Sequence, residues 1–210
     1  MSARVAPPRG PGRPAAATRD QVLEAATRRY LGGERIDVQS IAAELGLGRT
    51  TIYRRFGSRE ELIAEVLVRT AAGRFEDAKA AARGTGAERI LDTFDRFNRA
   101  IATAPPLRRL VAREGGNAVR IITAGDGSVQ PRIVEMITGA IEDEVGKGNY
   151  DPPVEPRTLG YAVVRLAEAF LFNDTATGMR ARVERLREIE AALLGAPPQT
   201  RGLDLETNSK

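Results

Sequence analysis

Residues 45 to 62 read LGLGRTTIYRRFGSREEL and gather four arginines, a tyrosine and three threonine or serine hydroxyls around a few apolar side chains. Such a set suits recognition rather than bond breaking. A guanidinium can bond bidentately to guanine, a threonine methyl can touch thymine, and tyrosine or threonine hydroxyls suit phosphate oxygens. On a helix turning about 100° per residue, Ile52 and Phe56 share one stripe, with Arg54, Thr50 and Thr51 opposite and Arg49, Tyr53 and Arg55 on the flanks. Two readings stand at this level: a helix that lies in a DNA groove, or a solvated basic face.

Charge distribution bears on the choice. The first 60 residues carry eleven basic against six acidic side chains, and the remaining 150 carry twenty-one against twenty-two. The excess of +4 therefore belongs to the N-terminal end, where a polyanionic partner is expected. The chain has no cysteine and no histidine, which removes disulfides, thiolate metal sites and the commonest metal ligand and general base. No phosphate-binding glycine loop or metal-spaced carboxylate cluster is evident; the run Glu142 to Glu144 reads as a solvated helix face. We expect no enzyme and no cofactor. With no apolar run of about 18 residues and no secretory leader, a cytoplasmic protein without a membrane partner is expected.

The elements that must position the basic stretch are short helices. Thr18 with Gln21 forms a capping box before Val22, Ala25, Ala26 and Tyr30. Asp37 caps a second helix carrying Ile41 and Ala42, which stops at Gly46. A third runs from Arg49 to before Gly57, and Ser58 with Glu61 opens a longer helix towards Ala82. A short helix, a glycine turn and a polar second helix have the spacing of a helix-turn-helix, which inserts its second helix into a major groove about 12 Å wide.

The segment VQSIAAELGLGRTTIYRRFGSREELIAEVL resembles the DNA-binding signature of the tetracycline-repressor (TetR) family of bacterial transcriptional regulators. Ile41-Ala42, Leu45-Gly46-Leu47, Thr51-Ile52-Tyr53, Phe56 and Ser58 to Leu62 carry the resemblance. It implies that Gln39, Arg49, Thr50 and Arg54 face bases and that Thr51, Tyr53, Arg55 and Arg59 sit on phosphates. Two positions depart from the family: Gly48 stands where a capping serine is common, and Arg59 replaces the usual lysine. A double-stranded DNA operator is the implied partner. A sequence-neutral architectural DNA-binding protein is the alternative.

The expected fold is all-α: an N-terminal three-helix helix-turn-helix domain and a C-terminal helical domain for ligand binding and dimerisation. We expect a disordered basic arm at 1–17, the DNA-binding domain at 18–65, the second domain at 66–196 and a disordered tail at 197–210. Arginines of the arm either enter a minor groove or make only nonspecific contacts. Helices are expected at Ile90 to Thr103, in two pieces from Leu107 to Ile122 divided near Gly115, at Ile133 to Val145, Pro156 to Asn173 and Val183 to Leu194, with Pro105-Pro106 as an interruption.

The resemblance implies a homodimer built on the last two helices and a pocket between the middle ones. The stripes Leu159, Val163, Leu166, Phe170 and Val183, Leu186, Ile189, Leu193 suit either a dimer or packing within one subunit. Candidate pocket residues are Phe94, Phe97, Asn98, Ile101, Leu110, Ile122, Met136, Arg165 and Glu168; buried polar groups there need partners, so Arg165 and Glu168 either orient a ligand or pair with each other. The stretch AEAFLFNDTATG is similar, more faintly, to lactone-responsive regulators of quorum-signal degradation in the same family. A small-molecule effector of lactone or fatty-acyl type would follow, released operator binding being its consequence.

Overall fold

The computed structural model describes residues 17–172 and 180–196, with side chains of the last helix described from Val183 onward. The expected basic arm (apart from Ala17), the C-terminal tail and the NDTATG part of the quorum-regulator likeness lie outside the described residues. Within them the chain forms ten helices and no strand. Three short ones, α1 (Arg19–Leu31), α2 (Val38–Glu44) and α3 (Arg49–Phe56), lead into the long α4 (Arg59–Ala81). The remainder are α5 (Gly86–Ala102), α6 (Pro105–Glu114), α7 (Gly116–Thr123), α8 (Gln130–Gly146), α9 (Pro156–Phe172) and α10 (Arg180–Leu194).

Local chemistry sets the first helices. The Thr18 hydroxyl accepts from the Gln21 N–H and the Gln21 side chain accepts from the Thr18 N–H, closing the expected box. Asp37 accepts from the Ser40 N–H at the head of α2, and Ser58 from the Glu61 N–H at the head of α4. At α4 the carboxylate does not return the bond to Ser58, so that end has half of the box. Helix α3 starts from Gly48 without any side-chain cap.

Two apolar clusters follow. One joins α1, α2, α3 and the first half of α4 through Val22, Ile41, Ile52, Phe56, Leu62 and Val66, and continues into Leu107, Leu110 and Ile121 of α6 and α7. The other joins Phe75 and Ala78, in the second half of α4, to α5, α8, α9 and Leu194. Helix α4 is thus shared, with no break at residue 65. Phe75 meets Phe97 edge to face at 5.3 Å between ring centroids. Gly160 lets α9 lie directly on α8, since a Cβ there would strike Thr138.

Three expectations are corrected by non-local packing. Helix α5 begins at Gly86, four residues before Ile90, because its first free N–H reaches across to the Glu144 carboxylate of α8 at 2.9 Å. Glu144 is accordingly buried, not part of a solvated face. Burial alone would push this carboxyl up, but bonds from Lys147, the Gly86 N–H and Asn149 bring it down to about 2. The expected break between helices falls at Thr103 and Ala104, but Pro105 and Pro106 open α6 two residues before Leu107, where a missing N–H costs nothing.

Candidate functional site

On α3, Ile52 (1% exposed) and Phe56 (7%) are buried, and their insertion fixes how the helix is rotated. Arg49, Thr50, Tyr53 and Arg54 stand exposed on the other side, with Gln39 exposed near the start of α2. Neither Arg49 nor Arg54 has a hydrogen bond or ion pair to any described residue. Thr51 is half-buried, and the Arg55 guanidinium is held by the Ala17 carbonyl just ahead of α1. Arg19 stacks over the Phe56 ring at 4.5 Å and pairs with Glu65, so α1, α3 and α4 are locked together.

Arg59 differs from the other seven. Its Nε donates to the Ile36 carbonyl at 2.8 Å, and its two terminal nitrogens meet both Glu114 oxygens of α6, at 2.6 and 3.2 Å. The Arg59 bonds hold the Glu114 carboxyl below the ordinary carboxylate range. This arginine is occupied within the protein. On the same face of α6, Arg113 donates to the Gly33 carbonyl at 2.9 Å, and Arg109 lies against Gly33, whose φ of +77° suits glycine and where a Cβ would collide with the guanidinium. Sequence reasoning missed this clasp, because nothing local in PPLRRLVARE says which charges face another domain.

Behind the clasp lies a cavity bounded by α1 and α4 to α9. It offers about 100 Å³ to the centre of a water-sized sphere, several times the roughly 10–15 Å³ that one water requires. Phe94, Phe97, Asn98, Ile101, Ile122 and Glu168 line it, as the sequence placed them. Three others do not. Leu110 is buried in the first apolar cluster, Met136 packs on the second, and Arg165 lies outside, bonded to Glu168 at 2.8 Å and to the Thr123 carbonyl. Arg165 and Glu168 therefore form the internal pair. Burial raises the Glu168 carboxyl above its ordinary range, against the opposing influence of Arg165 and Gln130.

The sequence did not place Tyr30, Thr70 and Arg74 in this wall. Burial pushes the Tyr30 hydroxyl up to about 12, against the pull of Arg74 and Thr70 beside it. Asn98, at 4% exposure, donates to Glu190 at 3.0 Å; Glu190 is fully buried on α10 and its second oxygen has no partner. Among the described residues no group of histidine, cysteine or carboxylate side chains has the arrangement of a metal site. No described helix is long and apolar enough to cross a membrane.

Residues 32–66 match the family model of bacterial regulatory proteins of the tetR family, and residues 85–195 match the model of the tetracyclin repressor-like C-terminal domain. The chain belongs to the TetR family. As such it is a DNA-binding transcription regulator, with its helix-turn-helix on α2 and α3. The R. erythropolis transcriptional repressor QsdR, of the same family, is similar over 86% of this chain and 95% of its own, with 28% identity and a TM-score of 0.79. The TetR-family repressor AlkX from Dietzia sp. strain DQ12-45-1b shares the fold at 19% identity and a TM-score of 0.56, over 84% of this chain and 95% of its own. A putative transcriptional regulator from Rhodococcus sp. RHA1 does so at 20% identity and a TM-score of 0.52, over 85% and 96%. No curated protein matches the sequence.

Proposed function

We propose that this TetR-family regulator is a repressor that binds a palindromic operator as a homodimer and is released by a small effector entering the cavity. The observation that carries the reading of DNA is the outer face of α3: four exposed polar side chains on a helix whose rotation two buried residues fix, with the Arg49 and Arg54 guanidinia free of partners among the described residues. Arg49, Thr50, Arg54 and Gln39 are assigned to base edges, and Thr51, Tyr53 and Arg55 to phosphates. Arg59 is reassigned from phosphate contact to coupling, because its donors already serve Ile36 and Glu114. An operator places the protein in the cytoplasm.

The dimer reading rests on the outward sides of the last two helices. Tyr161 (51% exposed) and Ile189 (40%) face outward, whereas Leu159, Val163, Val183 and Leu186 are used inside the subunit. The interface is therefore narrower than the two full stripes. For release, α6 supplies Leu107 to the cavity and Glu114 to the clasp, so a ligand that displaces α6 changes how the reading head is held. The 28% identity to QsdR supports repression.

Selecting bound fragments from the source genome and comparing them with shuffled duplexes at matched salt tests this reading. A discrimination of roughly a thousandfold or more is expected of a specific binder. Equal affinity for both would favour the architectural protein.

A further inference from the structure

The cavity wall is apolar apart from a few groups, and their charges do not balance. Tyr30 and Thr70 present hydroxyls, Asn98 an amide, Glu168 a carboxyl and Arg74 a guanidinium. Glu168 has its own cation in Arg165, which lies outside the wall. Arg74 is half-buried and has no hydrogen bond or ion pair to any described residue; it shares the cavity wall with Tyr30, whose hydroxyl feels its charge. A guanidinium without a counter-ion beside an apolar wall is open to an anion brought by a ligand, which it can hold through charge-assisted, bidentate bonds.

We propose that the effector is an amphiphilic monoanion whose carboxylate head sits on Arg74, with the Tyr30 and Thr70 hydroxyls beside it, and whose alkyl chain lies among Phe94, Phe97 and Ile137. The proposal rests on the reading of the cavity as the effector site and narrows its ligand to a charged class, in place of a neutral lactone. Glu168 is already engaged by Arg165, and burial holds the Tyr30 hydroxyl neutral up to about 12, so Tyr30 can donate to an anion at Arg74. The head would bond to α1 and α4 directly. Helix α1 belongs to the reading head and α4 is shared by head and bundle, so the ligand's charge acts on elements that carry α3 and not only on the bundle.

Calorimetric titration of the full chain at pH 8 with octanoate, its neutral isostere octanamide and neutral γ-octalactone tests the assignment. Octanoate is expected to bind roughly tenfold or more tightly than either neutral compound. Arg74→Gln should bring octanoate to the level of octanamide while leaving octanamide unchanged, and Arg74→Lys should keep part of the preference. Ala71→Phe, which fills the wall one turn from Arg74, should abolish all three. If octanamide or the lactone binds as tightly as octanoate, or Arg74→Gln leaves the preference intact, the charged head is refuted; where Ala71→Phe still blocks binding, the effector cavity itself stands. If none of the three binds, or Ala71→Phe changes nothing, the cavity reading falls with it.

Discussion

The reading head and the helical bundle are built from the same residue classes but held in different ways. In the head, short helices are started by their own neighbours, Thr18, Asp37 and Ser58, and tied at the rim by pairs such as Arg19 with Glu65. Arg49 and Arg54 have no hydrogen bond or ion pair to any described residue, and two buried apolar residues, Ile52 and Phe56, fix the helix that carries them. In the bundle, polar groups are spent inside: Glu144 heads α5 from α8, Asn98 joins Glu190 across from α10, and Arg165 joins Glu168. The contrast teaches that a charged side chain means a surface role where local caps do the structural work, and a packing role where they do not.

Four substitutions break or sharpen this contrast, in descending order of effect. Phe75→Ala removes a fully buried ring from the bundle and its edge contact with Phe97, and should cost about 3–5 kcal/mol in urea unfolding. Glu190→Gln acts in the opposite sense. Burial raises the Glu190 carboxyl to about 8, from 4.5 in the unfolded chain, so its contribution is fully present below pH 4.5 and lost as pH rises towards 8. The amide keeps an acceptor for Asn98 and cannot ionise; the variant should gain about 1–3 kcal/mol over wild type at pH 8 and flatten the stability profile between pH 5 and 8. A wild-type profile already flat over that range would contradict the assignment.

Glu114→Gln tests the clasp between the two regions. It should cost about 1–2 kcal/mol at pH 7, since a charge-assisted pair becomes a neutral bond. The wild-type contribution, from a carboxyl held low by Arg59, is present above pH 4.5 and lost on acidification below it, so the two proteins should converge in acid melts. A larger change in operator affinity than in stability would mark the clasp as a coupling element. Gly48→Ser is the smallest change: φ is −78° and open space surrounds a Cβ there, so a serine cap should add a few tenths of a kcal/mol to thermal stability. A loss would show that the uncapped start of α3 is needed as it is.

The same contrast explains what could be read in advance. Caps and glycine stops are local, so α1, α2, α3 and the start of α4 fall where the sequence puts them, and the exposure of Arg49, Thr50 and Arg54 follows from the spacing of Ile52 and Phe56. Pocket residues on the stripe of α5 were legible for the same reason. Arg59, Glu144, Tyr30 and Arg74 were not. Each is defined by a partner 50 or more residues away or by a wall assembled from several helices, and neither propensity nor periodicity carries that information.

Selection from a randomised duplex library, run in parallel with wild type, Arg54→Ala and Tyr53→Phe at fixed salt, tests the reading of α3 most directly. Wild type should enrich an inverted repeat; Arg54→Ala should lose about 1–3 kcal/mol and relax preference at particular base pairs, while Tyr53→Phe weakens all sequences alike. Uniform loss in both variants, or no enrichment by wild type, would contradict a helix whose free arginines read bases.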